Sequence, residues 1–114
     1  MSICNLFLVR SAHLNASGSL FGGCLMAQID EVGYCLVRRL HPRLNFVTRA
    51  CTVEFIAPAR LGDLVEFTAS LAKTGTSSLQ VQVTGSVDGR TIATASLVYV
   101  RVRPDGAKAP IAEA

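Results

Sequence analysis

The chain has 114 residues, half of them hydrophobic, with a formal net charge of +3 and a mean hydropathy of +0.41. That length suits one domain, and so small a domain has too much surface to bury so much apolar side chain alone, so a homo-oligomer is expected. No stretch approaches the ~20 apolar residues of a membrane span, and few aromatics with no basic run beyond Arg38 and Arg39 argue against nucleic acid.

Residues 4–12, CNLFLVRSA, read as a first strand. The apolar NLFLV within it is too short for a signal-peptide core and follows no basic residue, which points to the cytoplasm. The four cysteines, Cys4, Cys24, Cys35 and Cys51, sit among apolar neighbours and are expected to be buried, reduced thiols. None forms a C-x-x-C pair, and His13 and His41 complete no metal-ligand spacing, so neither a metal nor a bound cofactor is expected.

HLNASGS, residues 13–19, is a turn-rich loop. A helix is expected from about Gly22 to Leu40, ended by Pro42, which cannot continue it. The period then changes to two. Strands are expected over residues 46–56, 64–73, 78–87 and 91–103, with Asp88 and Gly89 as a hairpin turn. The third of these alternates most cleanly, through Leu79, Val81, Val83 and Val87. Residues 104–114 are expected to fray. One strand, one long helix and four strands in a meander predict an α+β domain of two layers spanning residues 1–114, with the antiparallel sheet curled round the helix.

The helix contains an anomaly. At 100° per residue, Gly23, Met26, Ala27, Gly33, Tyr34 and Val37 all lie within about 60° of Asp30. A carboxylate among small and apolar neighbours either points into a wet seam or pairs with an arginine, or it works as a general base or nucleophile in a cleft. Glu31 lies about 100° further round, towards Arg38. Gly33 needs a reason, since glycine inside a helix costs roughly 1 kcal/mol against alanine. Close approach of a backbone or a ligand, or tight helix–sheet packing, would supply one. Gly22 and Gly23 stand where the helix starts, where free N–H groups can hold an anion or a polarised carbonyl oxygen.

HLNASGSLFGGCLMAQIDEVG, residues 13–33, resembles the signature of the acyl-CoA thioesterases of the hotdog fold, through Asn15, Gly18, Phe21, Gly22, Gly23, Met26, Asp30 and Gly33. VEFIAPARLGD and TGTSSLQVQV downstream resemble two further family motifs, and the likeness is greatest to the YciA-like bacterial type. The resemblance implies a five-stranded sheet round the helix with the first strand lying centrally. It implies a homodimer, often a trimer of dimers, with the site at the dimer seam. Asp30 would activate water or attack the thioester carbonyl itself. The Gly23 N–H would form the oxyanion hole, and Asn15 of the other subunit would orient the water or the carbonyl. Gly22, Gly75, Thr76, Ser77 and Ser78 would bind the substrate and its coenzyme A, which enters only as part of the substrate. From charge, Arg101, Arg103 and Lys108 are candidates for its phosphates. Ser19 departs from the family, whose close members often carry Asp or Asn there. A dehydratase of the same fold would need a helix histidine for proton transfer, and only His13, in the loop, is near. A non-catalytic acyl-CoA-binding or regulatory hotdog domain is the alternative reading.

Overall fold

The computed structural model describes residues 1–112. It runs through β1 (Ser2–Leu8), a 3-10 turn (Ser11–His13), α1 (Gly22–Leu40), β2 (Asn45–Phe55), β3 (Leu64–Thr74), β4 (Ser78–Val87) and β5 (Arg90–Val102). Leu25, Ile29, Val32 and Leu36 recur every three or four residues and form the buried stripe of α1. Each side chain so buried stabilises the fold by about 1.5–3 kcal/mol. Phe21 precedes the helix in extended backbone and offers no side-chain cap, so the first N–H groups stay open. Arg38 and Arg39 in the last turn meet the negative end of the dipole. Arg38 donates to the Pro42 carbonyl at 2.9 Å, and among the described residues it forms no pair with Glu31.

All strands are antiparallel, in the order β1-β3-β4-β5-β2. This corrects two expectations. The first strand is an edge strand paired only with β3, and it ends at Leu8 because Val9 and the 3-10 turn carry the chain towards the helix. The meander has three strands, since β2 pairs with β5 and not with its successor β3. The helix touches all five strands, so the sheet wraps it as expected. Val65, Phe67 and Ala69 of β3 and Leu79, Val81 and Val83 of β4 fill the space between the layers. Leu71, next in the same alternation along β3, is exposed.

Two further expectations change. Cys4 and Cys35 are exposed and Cys24 and Cys51 half-buried, all as free thiols, because the helix turns Cys35 away from its buried stripe and β1 is an edge. The segment after β5 does not hang free. Ala109 N–H donates to the Arg101 carbonyl at 3.1 Å and Ile111 N–H to the Thr76 carbonyl at 2.8 Å, and Ala109 is buried. Residues 113–114 of the tail expected to fray lie outside the described residues.

β2 carries a bulge that positions the site. Thr48 pairs with Tyr99 and Ala50 with Val98, leaving Arg49 without a partner. The extra residue shifts the strand's phase. Before it, Phe46 and Thr48 face the helix side; after it, Cys51 and Val53 do. Among the described residues no helix is long and apolar enough to cross a membrane.

Candidate active site

Asp30 sits midway along α1 at the border between its buried and exposed faces. Its partners among the described residues are two hydroxyls. The Thr48 hydroxyl donates to Asp30 Oδ1 at 2.9 Å. The Tyr99 hydroxyl lies 3.1 Å from the same oxygen and 3.0 Å from the Asp30 backbone carbonyl. Oδ2 takes no hydrogen bond among the described residues. Thr48 and Tyr99 are cross-strand partners, so the sheet delivers both donors from one place. Burial, then the Asp30 charge and the hydrogen bond to it, push the Tyr99 hydroxyl above its ordinary pKa of 10.0. Burial, with a smaller contribution from Asp30, also raises the Cys51 thiol above 9.0, which makes it a poor nucleophile. Asp30 lines an open hollow of about 500 Å³ with Ala27, Glu31, Tyr34, Cys35 and Thr48.

Gly33 has its reason here. A Cβ on Gly33 would land on the Tyr99 hydroxyl. Sequence reasoning singled out Asp30 and Gly33 but missed Thr48 and Tyr99. A signal existed, since Tyr99 falls in the inward register of β5 with Leu97 and Ala95, where a phenol needs a partner.

The helix start forms a second cluster. Gly23 is exposed, and a Cβ there would meet the Phe21 ring at 2.6 Å, so glycine lets the ring lie over the first turn. Gly22 and Asn15 line a hollow of about 400 Å³ with Leu20, Phe55 and Ile56. Asn15 Oδ1 accepts the Ser17 and Ser19 N–H groups at 2.9 and 3.1 Å, closing the loop on itself. His13 Nδ1 accepts the Arg10 N–H at 3.0 Å and its ring packs on Phe7, which makes it a loop residue.

A third cluster is the β3–β4 turn. Gly75 N–H donates to the Ser78 carbonyl at 2.8 Å, and Ser78 Oγ occupies the place a Gly75 Cβ would take. Thr76 is exposed, Ser77 is buried, and both line a small hollow of about 240 Å³ with Lys108 and Pro110. Arg101 is occupied by the tail, through a bond to the Pro110 carbonyl. The three clusters share no lining residue within one chain.

Residues 17–94 match the thioesterase superfamily. The chain belongs to that superfamily. The acyl-CoA thioester hydrolase YciA of Salmonella typhimurium is 32% identical over 113 residues, covering 91% of this chain and 85% of that protein. An acyl-CoA hydrolase from Staphylococcus aureus, solved with butyryl coenzyme A, coenzyme A and coenzyme A disulfide, superposes with a TM-score of 0.88 at 27% identity, over 96% of this chain and 70% of its own. A hexameric hotdog fold thioesterase of Campylobacter jejuni superposes with a TM-score of 0.83 at 29% identity, over 96% of this chain and 89% of its own. The chain is therefore a thioesterase of the hotdog fold.

Asp30 and Gly23, the two ends of these first two clusters, lie on the same helix. They stand seven residues apart, about 10 Å along the axis. The thioesterase fold also leaves the outer edge of β2 unpaired, with Val47 and Phe55, about half exposed, upon it.

Proposed function

We propose that this thioesterase hydrolyses acyl-CoA to the free acid and coenzyme A, at sites that two copies of the chain build together across the β2 edge. The observation that carries the reading is the separation just described. Asp30 with one free oxygen lies about 10–12 Å along the helix axis from the open N–H groups at Gly23 and Gly22, and a two-fold seam would bring one copy's carboxylate to the other's helix start. The S. aureus hydrolase has been solved with alanine in place of an asparagine and of an aspartate that lie fifteen residues apart in its chain. Asn15 and Asp30 have the same separation.

In the reaction Asp30 takes a proton from water as the oxygen attacks the carbonyl carbon, or attacks that carbon itself to form, once the thiolate has left, an acyl-Asp30 anhydride that water then hydrolyses to the acid and the free carboxylate. The negative charge on the tetrahedral oxygen is met by the Gly23 N–H of the partner copy and by the Asn15 amide. Collapse breaks the C–S bond, and the departing thiolate of coenzyme A takes up a proton. Thr76 and the turn at residues 75–78 hold the pantetheine arm, and Lys108 beside them favours the phosphates. The compartment we propose is the cytoplasm, where the four free thiols stay reduced.

The test uses two variants and their mixture. Asp30→Asn should lose on the order of 10²–10⁴ in kcat and Asn15→Ala on the order of 10²–10³, while both still bind coenzyme A. Co-expressed, they should regain activity, because a mixed dimer has one site free of either change. Mixed dimers as inert as their parents would sink the shared site. A wild type that releases no thiol from short, medium, long or aromatic acyl-CoA would sink hydrolysis itself.

A further inference from the structure

The Tyr99 hydroxyl is fully buried, and it stands where β5 meets α1 at Asp30. Its single proton is shared between the Asp30 carbonyl at 3.0 Å and Oδ1 at 3.1 Å, a three-centre bond. That carbonyl belongs to the helix backbone, so the contact fixes both the side chain and the turn that carries it. The ring is held firmly. Its backbone is paired on one side to Leu79 and on the other to Thr48, and Tyr34 packs on it with centroids 6.1 Å apart. Gly33 is the complement of this contact. It is one of the glycines inside α1, it is buried, and only the lack of a Cβ admits the hydroxyl.

A buried phenol with no other partner could satisfy itself on any carbonyl. This one reaches the oxygen of a carboxylate and meets there a second donor, Thr48, from the neighbouring strand. Two donors on Oδ1 and none on Oδ2 make the carboxylate's two oxygens unequal. We propose that Tyr99 is a positioning residue for Asp30, that Gly33 is the notch through which it acts, and that together they fix which oxygen is left to meet water or the thioester carbon. This role rests on the hydrolase reading above. The phenol keeps its proton well above neutral pH, so it stays a donor through the working range.

Three variants test it: Tyr99→Phe, Gly33→Ala and the two combined. Tyr99→Phe keeps the ring and removes only the hydroxyl. It should lower kcat roughly ten- to a hundredfold, the scale of a small misplacement of a reacting group, with KM little changed. An equal fall in kcat and kcat/KM marks an interaction made in the transition state. Gly33→Ala should do the same by pushing the hydroxyl aside. The double variant should be no worse than Tyr99→Phe alone, because the atom that the new Cβ strikes is gone and the nearest ring carbon, 3.3 Å away, can yield.

A merely structural hydroxyl would give another pattern. Tyr99→Phe would then melt earlier yet turn over at the wild-type rate, and that result overturns the proposal. If Gly33→Ala does not fold, the comparison of Tyr99→Phe with wild type still decides. An inert wild type overturns hydrolysis and this role with it, whereas an active wild type beside an equally active Tyr99→Phe overturns this role alone.

Discussion

Asn15 uses its side-chain oxygen inside its own loop, on the Ser17 and Ser19 N–H groups, and only its NH2 remains to meet a substrate. The two jobs can be separated. Asn15→Asp keeps an oxygen for the loop and loses the donor, so its melting temperature should stay near wild type while kcat falls about a hundredfold, as for a lost oxyanion donor. Retained kcat with Asp at this position would show that the loop, and not the amide, is what matters. At this scale the sequence was readable wherever a residue was out of place. An acid among apolar helix neighbours exposed Asp30, and an unexplained helix glycine exposed Gly33. The reason for Gly33 was not readable, because it lies 66 residues further along the chain, in the hydroxyl of Tyr99. Thr48 looked like an ordinary strand residue, and its aim depends on a bulge no local pattern announces.

The β4–β5 hairpin shows an element dictated by two residues. Asp88 has φ of +49° and Gly89 of +78°, the left-handed pair that a two-residue turn requires. Gly89→Val should therefore cost about 1–2 kcal/mol and lower the melting temperature, with kcat at the working temperature unchanged. An unaltered melting temperature would mean that the turn relaxes into another type. This hairpin, the span of α1 and the alternation of β4 were all plain from local chemistry. The bulge at Arg49 was not. It shows only as a change of phase, with Phe46 and Thr48 inward before it and Cys51 and Val53 after it, and both halves read as strand. The edge position of β1 was equally hidden, since a strand's neighbours are chosen by long-range pairing and not by its own residues.

For the molecule as a whole, the shifted groups set an alkaline limit. Tyr99 is raised above 10.0, and Cys24 and Cys51 are raised above 9.0, in each case by burial first. The unfolded chain releases these protons at their ordinary pKa and the folded chain does not. Their contribution is whole below about pH 9 and is lost as pH rises past 9 for the thiols and 10 for the phenol. The melting temperature should be level up to about pH 9 and fall beyond it, and Tyr99→Phe should flatten the fall above about pH 10. An equally steep fall in that variant would mean that other groups set the limit. Composition led to the expectation of a partner, and Val47 and Phe55 on the open edge of β2 are the apolar residues the proposed seam would cover. The strand order was not readable, and it has a consequence for how the protein is made. Both edge strands and the helix come from the first 55 residues, and every strand between those edges comes later. β2 waits for β5, whose Val102 pairs with Asn45. At roughly 5–20 residues per second on the ribosome, the apolar helix and two unpaired strands stay unsheltered for several seconds. The sheet closes only when synthesis of its last strand is done, so a pause in translation between β2 and β5 would lengthen the time in which the nascent chain can aggregate.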